Sequence, residues 1–242
     1  MAPDKMLNKT YGQLCPIARS LDVLGERWTL LVLRELLLGP KRFKELLAVL
    51  PAMGTNRLSA RLKVLVDNGI AKPATTPLAA YELTELGEQL RKPLLALGLW
   101  GLSLPVDERI DPATARAELI ALSLTGVGRS DASTGLRATY EFHVGEEVFH
   151  IRVDDREILA RSGSAPAADV VIYCDLSTFM ALALRQISPA DALREGRAHL
   201  PHTQLETFER LFQMLEFNPE NLPDTLLAAL PHSSLVGTPD ES

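Results

Sequence analysis

Cysteine is scarce in this chain. Cys15 and Cys174, the only two in 242 residues, cannot build a disulfide framework, and their wide separation argues against a metal knuckle. Long apolar runs are missing too. The greasiest stretch, PLLALGLWGLSLPV at 93–106, falls short of the ~20 residues that a membrane helix needs. The opening MAPDKMLNKTYG has no apolar core of a signal peptide, so the sequence predicts a cytoplasmic protein. No glycine-rich loop of the phosphate-cradling kind is present, and no nucleophile elbow. His199 and His202, in HLPH, come nearest to a metal pair, but they straddle a proline without a carboxylate cluster and read as loop histidines. Asp154, Asp155 and Glu157 lack the glycine and the spacing of a Ca²⁺ loop. The expectation is therefore no enzyme activity, no metal and no cofactor.

What the chain does have is an uneven charge. The net charge is −6, yet residues 1–104 carry 14 Lys/Arg against 9 Asp/Glu, and residues 105–242 carry 11 against 22. Within 41–72, seven basic residues (Lys41, Arg42, Lys44, Arg57, Arg61, Lys63, Lys72) face two acidic ones, Glu45 and Asp67. Such asymmetry predicts a polyanion-facing module joined to an acidic one. The length allows one or two domains, and 46% apolar with 23% charged residues is ordinary for a folded protein.

The segment GTNRLSARLKVLVDNGI at 54–70 carries the sharpest signal. At about 100° per residue, Leu58, Leu62, Leu65 and Val66 form one stripe. Asn56, Arg57, Ala60 and Lys63 face the other way, with Ser59 and Arg61 on the flanks. Gly54 or Thr55 serves as N-cap, and Asn68-Gly69 supplies the left-handed residue that closes the helix. Small polar and basic side chains at its N-terminal end suit a major groove, and the competing reading is a plain solvated face. Before it lie helices over IARSLDVLG, begun by Cys15-Pro16 and ended at Gly25, over ERWTLLVLRELLLGP and over RFKELLAVLP. After it, IAKPATTPLAAYELT reads as two strands about a proline-containing tip, and TELGEQLRKPLLALGLWG as one helix capped by Thr84.

This order of elements is that of a winged helix-turn-helix domain. Over about residues 11–102 the chain resembles the HxlR-type bacterial transcriptional regulators. The likeness rests on Cys15-Pro16, Gly25 with Trp28, Arg34-Glu35-Leu36, Gly39, Phe43, Leu58 with Arg61-Leu62, Gly69, and Tyr81 to Thr84. It implies a homodimer joined with help from the second and closing helices, double-stranded DNA as partner, helix 54–69 in the major groove and the hairpin as a wing. The DNA-contacting set so expected is Arg42, Thr55, Asn56, Arg57, Ser59, Arg61, Lys63 and Lys72. The wing departs from the usual pattern, since PATTPLAA carries no arginine at its tip, so specificity should rest mainly on the helix. In some such regulators a cysteine at the place of Cys15 senses oxidants, and a helix start favours thiolate. The competing role is a small buried hydrophobe at the dimer contact.

Residues 103–112, SLPVDERIDP, form a linker by composition. Then PATARAELIALSL reads as helix, and TYEFHVGEEVFHIRVDDREILARSG as alternating strands turning at Gly145-Glu146 and Asp154-Asp155. Tyr140, Phe142 and Val144 share one face, as do Phe149, Ile151 and Val153, while His143 and His150 face the other way. DVVIYCD at 169–175 is a further strand. Two helices follow over DLSTFMALALRQISPADALREG, capped by Asp175 or Ser177 and by Ser188. TQLETFERLFQMLEF closes the order with Leu205, Phe208, Leu211, Phe212 and Leu215 on one stripe. Antiparallel strands, the aspartate-led helix, PADAL, a glycine and the last apolar helix resemble the sterol carrier protein-like fold, although a glycine usual near Arg185–Gln186 is absent. That fold implies a curved sheet on helices around an apolar tunnel for a lipid-like or aromatic molecule. Tyr140, Phe142, Phe149, Ile151, Phe179, Met180, Phe208 and Phe212 are the pocket candidates, with core filling as their competing fate. Tyr140, His150, Arg152 and Tyr173 are the candidate polar anchors.

The expected class is α+β: a winged helix-turn-helix domain over 1–104, a sterol carrier protein-like effector domain over 105–230 with an antiparallel sheet, and a disordered tail over 231–242. The expected function is a dimeric, sequence-specific DNA-binding regulator whose second domain senses an apolar small molecule or a partner. Two rivals stand beside it, a lipid carrier whose helical domain only dimerises, and thiol sensing through Cys15 as the input. The basic cluster at 41–72 disfavours the carrier, because a mere dimer module has no need to concentrate cations there.

Overall fold

The computed structural model describes residues 10–75, 79–105, 107, 109–126 and 133–215, and of His202 the backbone alone. The chain divides into two compact units, Met1–Leu94 and Leu95–Ser242, so the division falls inside a helix.

In the first unit, α1 (Pro16–Leu24) starts with proline at a position that needs no N–H and stops at Gly25. α2 (Thr29–Leu37) is buried along Val32, Leu33, Leu36 and Leu37 and ends before Gly39-Pro40. β1 (Lys41–Arg42) leads into α3 (Phe43–Val49), where the Glu45 carboxylate reaches back to accept the Arg42 N–H at 2.6 Å. A short 3₁₀ turn, Pro51–Met53, delivers the chain to α4 (Thr55–Asp67). α4 closes as its sequence predicts. Gly69 takes φ 68°, its N–H bonds the carbonyl of Val66 at 3.0 Å, and the N–H of Ile70 bonds that of Leu65 at 2.9 Å. Val32, Leu33, Leu36, Leu46, Met53, Leu58, Leu62 and Leu65 form one core cluster. Each fully buried Leu contributes about 1.5–3 kcal/mol relative to exposure.

β2 (Ala71–Pro73) and β3 (Ala80–Leu83) form the hairpin, and its tip, residues 76–78, lies outside the described residues. β1 adds to the free edge of β3, giving the order β1-β3-β2. The single closing helix expected over 84–101 is instead two, α5 (Glu85–Glu88) and α6 (Arg91–Gly101). Pro93 explains the break, because a proline ring excludes the carbonyl of the residue four before it, here Gln89. Thr84 does cap α5, its hydroxyl accepting the Gly87 N–H at 3.1 Å. Gly87 has no room for a side chain, since a Cβ there would sit 2.1 Å from the carbonyl oxygen of Ile70.

In the second unit, α7 (Ala117–Thr125) starts at Arg116, which offers no side-chain cap. The Glu147 carboxylate replaces one, accepting the N–H groups of Ala117 and Glu118 at 2.9 and 3.1 Å. Burial pushes that carboxyl above its usual range, partly countered by the Ala117 N–H and by Arg116. β4 (Arg137–Val144), β5 (Glu147–Asp154) and β6 (Glu157–Ser162) form an antiparallel meander, with Gly145 and Asp155 in left-handed conformations at its turns. β7 (Val170–Cys174) pairs with β4 in parallel, so the five-stranded sheet is mixed rather than antiparallel throughout. The cause is the connection over 163–169, which recrosses the sheet. It is held by Gly163 and Ala165, whose carbonyl and N–H meet His150 Nδ1 and Glu141 Oε2 at 2.8 and 2.7 Å.

α8 (Leu176–Ala183) is capped by Asp175, and α9 (Pro189–Arg194) by Ser188, as their sequences predict. A two-residue strand β8 (Ala198–His199) adds to β7, completing the order β6-β5-β4-β7-β8, and α10 (Leu205–Met214) ends the described chain. The tail assigned to 231–242 lies outside the described residues.

Candidate functional site

α4 separates its two faces as the helical period dictates. Leu58, Leu62, Val64 and Leu65 are buried, whereas Thr55, Asn56, Arg57, Ser59 and Lys63 are exposed. Arg61 is half-buried on the flank, and so is Val66, which the sequence placed in the core stripe. Gly54, at φ 75°, is the N-cap and contributes no side-chain hydrogen bond. The first turn thus presents its N–H groups and three short or basic side chains to solvent, at the positive end of a thirteen-residue helix.

The cations of the expected set are not equivalent. Lys63 Nζ lies 2.6 Å from the Asp67 carboxylate one turn on, and Lys72 Nζ lies 3.3 Å from Glu82 across the hairpin. Arg42 stands 4.0 Å from Glu45. Arg57 and Arg61 form no ion pair among the described residues. Both are therefore available to an external anion without first leaving an internal one. Sequence reasoning treated all of these cations alike and did not anticipate Glu82.

Cys15 is half-buried at the N-cap of α1, beside the fully exposed Leu14. Cys174 is held by burial, and then by neighbouring Asp175, with its thiol pushed up to about 12.

In the second unit all eight pocket candidates are buried: Tyr140, Phe142, Phe149, Ile151, Phe179, Met180, Phe208 and Phe212. The phenyl rings pack on one another. Phe142 stacks on Phe149 at 5.2 Å, Phe179 meets both edge-on at 5.4 Å, and Phe208 joins Phe142 to Phe212. Of the four candidate anchors, only Tyr140 faces this interior. Its hydroxyl has no hydrogen-bond partner among the described residues, and burial, aided by Asp169 and opposed by Arg210, pushes it up to about 12. His150, Arg152 and Tyr173 lie on the opposite face of the sheet, bonded to Gly163, paired with Asp154 and stacked on His143 respectively. An open cleft adjoins this cluster at Phe212, the one of the eight candidates that borders it, with Arg185 on its rim. Sequence reasoning did not list Arg185 among the site residues.

Three helices, a β-wing and an outward-facing basic helix define a winged helix-turn-helix unit. The chain belongs to the HxlR-like helix-turn-helix family, whose model matches residues 23–107. The model of the SCP-2 sterol transfer family matches residues 121–200. The HTH-type transcriptional regulator sll1512 of Synechocystis sp. is 38% identical over 90 residues, 36% of this chain and 67% of that protein. The HTH-type transcriptional regulator YvaP of Bacillus subtilis is 35% identical over 107 residues, 42% of this chain and 94% of that protein. The crystal structure of quinone-bound YodB from B. subtilis, 35% identical, covers 36% of this chain and 97% of its own, with a TM-score of 0.34. No helix among the described residues is long and apolar enough to cross a membrane.

Proposed function

We propose that this chain is a dimeric, sequence-specific DNA-binding transcription regulator, with α4 entering the major groove and the second unit acting as a small-molecule input. The observation that carries the reading is the division of α4. Leu58, Leu62 and Leu65 anchor it to the core, while Asn56, Arg57 and Ser59 project from its first two turns. Side chains of these types match the donor and acceptor pattern of base edges. The excess of basic residues over 41–72 supports the same reading, as do the relatives that are HTH-type regulators.

Pairing of two chains is supported by apolar side chains left uncovered in one. Leu14, Ile17 and Leu21 are exposed on or beside α1, and Leu97 and Trp100 on α6. α2, by contrast, packs Val32, Leu33 and Leu36 into the core cluster of the first unit. A two-fold dimer would read half-sites about one helical turn, roughly 34 Å, apart. On this reading the protein acts in the cytoplasm, has no catalytic step, and couples effector to DNA by about 1–3 kcal/mol. Selection of bound sequences from a random DNA pool with the full chain tests the reading. The expected product is a two-fold symmetric consensus, and absence of any enriched sequence at low salt refutes it.

A further inference from the structure

One helix is common to both units. The division of the chain falls between Leu94 and Leu95, inside α6, so one unbroken helix belongs to each in part. Its start is fastened to the first unit. Arg91 is nine-tenths buried, and its guanidinium donates to the Leu37 carbonyl at the end of α2 at 2.9 Å and to the Glu88 carboxylate at 2.8 and 3.0 Å. Leu94 packs against the core cluster that holds Leu58, Leu62 and Leu65 of α4. α6 thus sets out from the core on which α4 is seated.

Leu95, the next residue, begins the second unit, and there it meets the end of α7. Gly126 closes α7, and a Cβ built on it would lie 3.0 Å from the Leu95 Cβ and 3.1 Å from the Ser123 carbonyl oxygen. The backbone at Gly126 is ordinary, at φ −75°, so conformation does not call for glycine here. Room does. The near atom is the Leu95 Cβ, which no change of rotamer can move, because the helix backbone fixes it. A shift of α7 at this joint is therefore passed to α6 as a whole, in the way that packed helices slide on one another.

A third set of side chains leaves α6 on its other side. With 3.6 residues per turn, Leu97 and Trp100 lie about 160° and 140° round the helix from Leu95. Both are exposed, and both are among the apolar groups that pairing of two chains would cover. Within eleven residues α6 joins an attachment to the α4 core, a joint with α7 and a face for the partner copy.

We infer that α6 is the element through which the second unit governs DNA binding. Displacement of α7 moves α6 at Leu95, resets how Leu97 and Trp100 meet the partner copy, and so changes the spacing of the two α4 helices. The inference rests on the dimeric, DNA-binding reading above and assigns its regulation to the joint of Leu95 with Gly126. Coupling of this kind is reciprocal, so operator DNA must in turn alter α7.

Hydrogen–deuterium exchange of the full chain, with and without the selected operator duplex, tests it alongside operator affinity from fluorescence anisotropy. In the wild type, operator should change amide exchange over 120–126 by about fivefold, the low end of allosteric couplings. Gly126→Ala should push α6 aside and change operator affinity by about fivefold, with exchange in β4 and β5 as in the wild type. Leu95→Ala provides a second variant should the alanine protein melt lower; it loosens the joint and should shrink the operator's effect on 120–126. Glu146→Gln, at an exposed turn of the second unit, is the control and should leave both measurements unchanged. Equal exchange over 120–126 with and without operator, wild-type behaviour of both joint variants, or an equal shift in the control overturns the inference. A wild type that binds its operator with α7 unaffected removes the joint and leaves the DNA-binding reading standing. Absence of binding to any duplex refutes that reading and the inference with it.

Discussion

Arg57→Ala and Lys63→Ala remove one cation each from the same face of α4, and the structure predicts unequal losses. Arg57 is exposed in the first turn, with no internal ion pair among the described residues. If it reads a guanine through both Nη atoms, its loss costs about 1–3 kcal/mol, or about 5- to 150-fold in affinity, and relaxes one position of the site. Lys63 must first leave Asp67, with which it forms an exposed pair at 2.6 Å. Such pairs contribute about 0.2–1 kcal/mol, and a phosphate contact made by Lys63 is diminished by that amount. Lys63→Ala should therefore weaken all sequences uniformly and by less, and Asp67→Ala should tighten binding by freeing the lysine. Fluorescence anisotropy with the full chain, on the selected operator and on single-base variants between 50 and 200 mM salt, measures both effects. Phosphate contacts show in the salt slope, and base contacts in the discrimination between operators. Unchanged affinity and unchanged base preference in Arg57→Ala would refute the assignment of α4 as the reading helix.

The other expectations concern stability and thiol chemistry. Leu62→Ala removes a side chain only 2% exposed at the centre of the first unit's core, and should lower unfolding free energy by about 2–5 kcal/mol in denaturant titrations. Asp175→Ala removes the cap of α8 and should cost about 0.5–2 kcal/mol at neutral pH. Burial tends to raise the Asp175 carboxyl, but the Thr178 N–H and hydroxyl, Ser177 and Arg197 together hold it below its ordinary 3.8. The wild-type contribution is thus complete above that value and is lost as pH falls through the lower folded one, so melting curves of wild type and variant should converge in acid. Native protein at pH 8 should take up one equivalent of maleimide, at Cys15, because the Cys174 thiol stays protonated. Cys15→Ser should remove that uptake, together with any oxidant response of operator binding, while leaving the binding itself intact. An oxidant response that survives the substitution rules out Cys15 as the sensor.

Much of the fold was legible because local chemistry and global packing agree. The boundaries of α1, α4, α8 and α9 follow from Pro16, Asn68-Gly69, Asp175 and Ser188, each of which acts within a few residues of itself. The strands β4 and β5 follow from alternation, and their turn from Gly145. The misses share a different origin. β1 and β8 have two residues each, too few for any period, and exist only because β3 and β7 offer a free edge. The parallel pairing of β7 with β4 depends on where the 163–169 connection crosses, which Glu141 and His150 determine from strands far away in sequence. The break between α5 and α6 had a readable cause in Pro93, outweighed by an apolar period that runs across it.

The candidate sites show the same divide between what a pattern reports and what it omits. On α4 the period separates buried Leu58, Leu62 and Leu65 from exposed Asn56 and Arg57, so the outward face was readable from spacing alone. The i, i+4 spacing of Lys63 and Asp67 was readable as well, whereas the pairing of Lys72 with Glu82 required the hairpin register. In the second unit, hydrophobic alternation identifies Phe142, Phe149 and Phe208 as groups that leave water. It does not distinguish a side chain lining an empty pocket from one filling it, because both are buried against apolar neighbours. Ring centroids 5.2–5.4 Å apart among Phe142, Phe149 and Phe179 assign these side chains to filling. Arg185 breaks a local rule of another kind, an arginine in the left-handed position that ends α8, where the backbone suits glycine. The departure has a contact to set against it, because an Arg185 Nη donates to the Phe212 carbonyl in the last turn of α10 at 3.2 Å, an acceptor that the helix itself leaves unpaired.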